Sequence, residues 1–208
     1  MSAQPTRSCL IFLNGDIPDS RPVKAWARRA GGVICADGGV RHAVRLGLEP
    51  DFVVGDMDSL PHPLPRWKRT VYWCDFDLNM SDFEKALRFA GHIGCPRVFV
   101  AGVLGGRMDH ALVNLALIER YGARLDIVLV DRGAARLLGP GVHRFALRRG
   151  TVFSVLSAPR AVVSLSGARY PLKNAALAAG SRGLSNKAEG RVSLTVHRGR
   201  AWFMLPEG

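Results

Sequence analysis

Short apolar runs alternate with longer segments of helical period over residues 1–130. Cys9–Leu13, Gly32–Ala36, Phe52–Val54, Arg97–Ala101 and Asp126–Val130 are brief and apolar and carry β-branched residues, and they predict strands. Between them, Lys24–Ala30, Val40–Leu46, Ser81–Phe89 and Asp109–Tyr121 carry apolar residues at helical spacing and predict helices. Ser81 is followed three residues on by Glu84, a capping box that satisfies orphan amides at a helix start. Strands alternating with helices predict an open, largely parallel sheet covered on both faces.

From about Arg136 the texture changes. His143–Ala146, Thr151–Leu156, Ala161–Leu165, Val192–Val196 and Ala201–Met204 are strand-like and separated by Gly, Pro, Ser and Arg. No helical period of useful length remains, which predicts a small all-β unit, a sandwich. Leu138-Gly139-Pro140-Gly141 marks the expected boundary, giving an α/β domain over 1–138 and a β domain over 139–208.

Composition narrows the class. The 208 residues are 48% hydrophobic and 22% charged, enough for packed cores and unlike a disordered chain. No apolar run approaches a membrane span, and Cys9–Leu13 is too short for a signal-peptide core, so a soluble, cytoplasmic protein is expected. Cys9, Cys35, Cys74 and Cys95 form no Cys-x-x-Cys pair and no zinc-ligand spacing, which reads as free thiols, three of them buried. The formal charge of +12 comes almost wholly from scattered arginines. With no basic tail or nucleic-acid module, that field suits a small anionic substrate rather than nucleic acid.

The chemistry collects where the first-half strands end. Leu13 leads into Asn14-Gly15-Asp16, and Ile34-Cys35-Ala36 into Asp37-Gly38-Gly39. Val53-Val54 leads into Gly55-Asp56-Met57-Asp58-Ser59, and Val100-Ala101 into Gly102 through Gly105-Gly106-Arg107-Met108-Asp109-His110. Open α/β sheets bind ligands beyond the carboxyl ends of their strands, so these four ends share one rim. Glycines let backbone amides approach phosphate, whereas carboxylates repel it unless a cation lies between. Mg²⁺ suits such a rim, because it is held by one or two carboxylates together with substrate phosphates. Asp56 and Asp58 share a face of an extended segment, Asp82 opens a capped helix, and Asp37 ends a neighbouring strand. Arg107 is placed to neutralise a transferring group, while His110 reads as structural. P-loop, dinucleotide-fingerprint and protein-kinase signatures are absent from the sequence.

Six ordered motifs resemble the thiamine pyrophosphokinase family. They are Ala36-Asp37-Gly38-Gly39, Gly55-Asp56-Met57-Asp58-Ser59, Ser81-Asp82-Phe83-Glu84-Lys85-Ala86-Leu87, Gly105-Gly106-Arg107-Met108-Asp109-His110, Gly167-Ala168-Arg169-Tyr170-Pro171-Leu172 and Ser185-Asn186. The resemblance implies a nucleotide-binding α/β domain followed by a β-sandwich, working as a homodimer on ATP, Mg²⁺ and thiamine. It implies that Asp56, Asp58 and Asp82 hold metal and polyphosphate, and that Asp37, Arg107 and Asp109 complete the reaction site. Gly38, Gly39, Ser81, Gly105 and Gly106 would line the ATP site. Ser185 and Asn186 would contact the aminopyrimidine, with Tyr170 and Trp202 as aromatic candidates beside it. Asn79 stands where the family often has an acidic residue, which leaves Asp77 or Asp75 as substitutes. A pyrophosphokinase for another small alcohol such as a hydroxymethyl pterin, and a metal-dependent phosphohydrolase, are the competing readings of the same rim.

Overall fold

The computed structural model describes residues 8–130 and 133–206; the polar Met1–Arg7 segment lies outside them. The chain folds as mixed α/β and divides into two compact units, 1–132 and 133–208.

The first unit contains strands β1 (Ser8–Phe12), β2 (Val33–Ala36), β3 (Phe52–Gly55), β4 (Val71–Cys74), β5 (Arg97–Ala101) and β6 (Asp126–Leu129). Its helices are α1 (Ser20–Arg29), α2 (Val40–Leu46), α3 (Asp82–His92) and α4 (Met108–Tyr121). The strand order is β6-β5-β1-β2-β3-β4, and every pairing is parallel. All the strand carboxyl ends therefore face one way. Leu10, Ile11 and Phe12 of β1 are inaccessible to solvent on both sides, as a central strand between helical layers requires. Leu10, Phe12, Val23, Cys35, Val40 and Val53 belong to one of the clusters that form the core beneath the rim.

β4 was not expected from the sequence. Its four residues are all exposed, so Val71-Tyr72-Trp73-Cys74 lacks the half-buried alternation that announces a strand. The capping box forms by half. Ser81 Oγ accepts from Glu84 N at 3.3 Å, but the Glu84 carboxylate accepts from Tyr121 Oη at 2.9 Å and Arg120 Nη1 at 3.0 Å, joining α3 to α4.

The second unit holds β7 (Ala134–Leu138), β8 (Gly141–Ala146), β9 (Val152–Ala168), β10 (Leu172–Leu177) and β11 (Asn186–Leu205). β9 and β11 are long strands where the sequence suggests two short ones each. In their register Ser193 lies opposite Ser166 and Met204 opposite Ser154, with β-bulges between. The bulges absorb the Pro and Gly positions that look like breaks in the sequence. β7 and β8 pair antiparallel with β11, and β10 pairs antiparallel with β9. Leu138-Gly139-Pro140-Gly141 connects β7 to β8. Phe153, Val155, Val163, Leu194 and Phe203 centre the unit's own core.

Candidate active site

The carboxyl ends of β1, β2, β3 and β5 are brought together by close backbone packing. A Cβ on Gly39 would overlap the Phe12 carbonyl, and one on Gly102 would stand 2.5 Å from Leu13 O. A Cβ on Gly38 would meet Asn14 Nδ2 at 2.6 Å, and one on Gly55 would meet Asp82 Oδ1 at 2.9 Å. Backbone cannot give way to a side chain, so Gly39 and Gly102 are required by space, while Gly38 and Gly55 pack against the Asn14 and Asp82 side chains. Above them lies a cavity of about 170 Å³ lined by Asn14, Gly15, Asp37, Gly38, Ser81, Asp82, His110 and Asn114, among others.

Carboxylates gather at this rim. Oxygens of Asp37, Asp56 and Asp58 lie within 4.8 Å of one another. Asp37 is almost fully buried at 2% exposure; its Oδ2 accepts from Ser59 N at 3.1 Å, while Oδ1 is buried without a hydrogen-bond partner. Burial and the neighbouring Asp82 charge push the Asp37 carboxyl up to about 6. Asp58 Oδ1 accepts from Ser59 Oγ at 2.9 Å. An unpartnered buried oxygen beside two further carboxylates is an all-oxygen, hard donor set, and it fits a divalent cation such as Mg²⁺.

Asp82 stands differently from the sequence expectation of Asp56, Asp58 and Asp82 as one ligand set. Its Oδ1 accepts from the buried Lys85 ammonium at 3.1 Å, and the same ammonium lies 3.7 Å from Asp56 Oδ2. Burial raises the Asp82 carboxyl above the ordinary carboxylate range, with Lys85 opposing that shift. Burial disfavours the Lys85 charge, but the Asp82 hydrogen bond and the charges of Asp82 and Asp56 outweigh it, and its pKa is raised. Lys85 is thus a fixed internal cation within the acidic cluster. The sequence presents it only as one letter of a motif on a helix, with no sign that its side chain turns inward.

Arg107 and Asp109 pair with each other. Arg107 Nε lies 3.1 Å from Asp109 Oδ1 and Nη2 lies 2.6 Å from Oδ2, both residues being exposed at the start of α4. This hydrogen-bonded guanidinium pulls the Asp109 carboxyl down to about 2. Gly105 and Gly106, in the same loop, adopt φ of 95° and 74°, which glycine reaches without strain. His110, read as structural from sequence, lines the cavity. Asn114 also lines it and donates from Nδ2 to Val103 O at 3.2 Å. Ser81 lines it while capping α3. Asp75, Asp77 and Asn79 instead bond one another along an exposed loop, Asp77 N to Asp75 Oδ1 at 3.1 Å and Asn79 N to Asp77 Oδ1 at 2.9 Å.

The expected thiamine contacts lie in the second unit. Asn186 is buried, and its side chain is engaged by backbone: Oδ1 accepts from Tyr170 N at 3.1 Å and Lys187 N at 2.8 Å, and Nδ2 donates to Tyr170 O at 2.8 Å. Ser185 has φ of 55° and donates its amide to Ser154 Oγ at 3.0 Å. The Tyr170 ring is exposed beneath the Arg169 guanidinium, whereas Trp202 is a core residue.

Residues 23–129 match the family model described as thiamin pyrophosphokinase, catalytic domain. Thiamine pyrophosphokinase 2 of Arabidopsis thaliana is 26% identical over 203 residues, covering 81% of this chain and 74% of that protein. Thiamine pyrophosphokinase 1 of rice, Oryza sativa subsp. japonica, is 24% identical, with coverage of 82% and 76%. Among solved structures, thiamine pyrophosphokinase from Bacillus subtilis superposes with a TM-score of 0.82 at 20% identity, over 97% of this chain and 99% of that one. Yeast thiamin pyrophosphokinase gives a TM-score of 0.76 at 14% identity, over 99% and 88%. The two structures share the fold, and the family model covers the segment that carries the carboxylate rim. The chain belongs to the thiamin pyrophosphokinase family.

Proposed function

We propose that this chain transfers a pyrophosphoryl group from ATP to the hydroxyl of thiamine, giving thiamine pyrophosphate and AMP. The observation that carries the reading is the cluster of Asp37, Asp56 and Asp58, with one buried, unpartnered oxygen, in a chain of this family. Mg²⁺ held there by Asp37, Asp56 and Asp58 would neutralise polyphosphate charge beside the glycine-packed strand ends. The α/β unit is the nucleotide domain. The β unit, a sandwich in this reading, carries the thiamine contacts around Ser185, Asn186 and Tyr170, and two copies of the chain assemble as a cytoplasmic dimer. Among the described residues no helix is long and apolar enough to cross a membrane.

The thiamine oxygen attacks the β-phosphorus of ATP, the bond from that phosphorus to the bridging oxygen breaks, and AMP leaves with the bridging oxygen. The protein contributes alignment and charge balance rather than covalent chemistry. Lys85 holds Asp56 and Asp82 in place, its ammonium 3.7 Å from the one and 3.1 Å from the other. Arg107 would leave Asp109 to reach the transferring group, since their exposed pair is weakly held. Asp82 lines the cavity and has a raised pKa, which makes it the base for the thiamine hydroxyl in this reading.

Product analysis of ATP, Mg²⁺ and thiamine with the purified protein tests this. Thiamine pyrophosphate and AMP in equal amounts are expected. ADP, or AMP and pyrophosphate formed without thiamine, would overturn it in favour of another transfer or hydrolysis. Product with a hydroxymethyl pterin but none with thiamine would move the acceptor.

A further inference from the structure

Helix α2 begins where the Asp37-Gly38-Gly39 turn ends, and three of its side chains reach back to the loop after β1. Arg41 Nη2 donates to Asn14 O at 2.6 Å and lies 3.1 Å from Asp16 Oδ1. His42 Nε2 lies 2.8 Å from Gly15 O. Arg45 Nη2 donates to Ile17 O at 3.0 Å and lies 3.4 Å from His42 Nδ1. Three backbone carbonyls of one four-residue loop are thus held by one short helix.

The His42 tautomer follows from its neighbours. A carbonyl oxygen can only accept, so Nε2 carries the proton; a guanidinium can only donate, so Nδ1 accepts. The ring is 2% exposed, and burial pulls its pKa down to about 4, so it is neutral at physiological pH. Arg45, His42 and Gly15 O form a relay whose donors all point one way. On its other side the loop is tied to β5, Leu13 N donating to Ala101 O at 2.8 Å and Gly15 N to Gly102 O at 3.1 Å. Asn14 and Gly15 line the cavity, and the Asn14 amide lies over Gly38. A loop fixed from both sides keeps its pocket-facing atoms in position without reorganising when ligand enters.

We propose that Arg41, His42 and Arg45 are positioning residues that hold the 14–17 loop in the shape that receives ATP, with His42 as the central clasp. The inference rests on the reading that this cavity takes the nucleotide. None of the three need touch the reacting atoms. Their contribution is a preformed rim, so their loss weakens nucleotide binding and leaves thiamine binding unchanged.

The test compares wild type with His42→Ala and His42→Gln, the second keeping a side-chain N–H donor. Steady-state KM for ATP and for thiamine, kcat, and amide hydrogen exchange at Gly15 are measured. In His42→Ala, KM for ATP is expected to rise about tenfold, the effect of losing one buried hydrogen bond, with KM for thiamine unchanged. His42→Gln restores most of the loss. Gly15 exchange is expected to quicken at least tenfold in His42→Ala relative to Phe12 in the adjoining strand. Equal rises in both KM values, no change in KM for ATP, or no recovery in His42→Gln would overturn the proposal. Should wild type show no ATP-dependent activity, the reading of the cavity fails; the clasp is then decided by exchange, where equal protection of Gly15 in both proteins overturns it.

Discussion

Asp37→Asn makes the electrostatic state of the rim measurable. In the metal-free protein the Asp37 carboxyl sits at about 6 against an ordinary 3.8. The folded pKa lies above the unfolded one, so the folded state binds this proton more tightly. The charged form is penalised on folding; the penalty is absent well below 3.8, grows through the interval, and is complete above about 6. Roughly two pKa units correspond to about 3 kcal/mol. Asparagine removes that term and tolerates the positive φ of 37° at this position. It also leaves an amide nitrogen where the buried Oδ1 had no partner, a pH-independent cost of about 1–2 kcal/mol. The variant should therefore be less stable than wild type near pH 4 and more stable near pH 8. Thermal unfolding in EDTA reads the difference. Relative to wild type, its Tm should climb by roughly 5–10 °C between those two pH values, for a swing of about 2–3 kcal/mol. At pH 8, added Mg²⁺ should raise the wild-type Tm by mass action and leave that of Asp37→Asn nearly unmoved. A Tm difference that is flat with pH, or that runs the other way, would refute the burial argument.

Other perturbations separate the remaining roles. Lys85→Met removes the internal cation facing Asp82 and Asp56 and should lower metal-free stability by about 2 kcal/mol, while Mg²⁺ binds more tightly by calorimetry because a positive charge has gone. Asn186→Ala breaks the three bonds to the Tyr170 and Lys187 backbone and should cost about 2–3 kcal/mol by denaturant unfolding, with KM for thiamine rising through displacement of Tyr170. Arg107→Ala should leave Tm unchanged, its pair with Asp109 being exposed, and lower kcat at least a hundredfold in the product assay.

What the sequence made legible follows from which forces leave a local trace. A buried parallel strand is a run of apolar residues whatever its neighbours, so β1, β2, β3 and β5 were readable within a residue or two. Asp37, Asp56 and Asp58 were readable because strand ends in this architecture face one rim, and Asp82 because it opens a capped helix. β4 left no such trace, being exposed throughout, and neither did β10, where Lys173-Asn174-Ala175-Ala176 lacks β-branched residues. The partition of the acids was hidden too. Whether Asp82 faces a cation site or the Lys85 ammonium depends on how the first turn of α3 is rotated, which no spacing rule encodes. The same holds for His42, whose partner lies 27 positions away.

The glycines beneath the rim carry a consequence for telling active relatives from silent ones. Gly39 and Gly102 are excluded from bearing a side chain by the backbones of β1 and its loop, independent of any ligand. A descendant that had abandoned catalysis would still need them to fold, and would keep its Ala-Asp-Gly-Gly appearance through the glycines alone. Asp37 is the opposite case: burial penalises its charged form in the empty fold, so under the proposed function its charge-dependent task alone would retain it. In a divergent copy, replacement of Asp37 by a neutral residue beside intact glycines would be the signature of a scaffold freed from its chemistry.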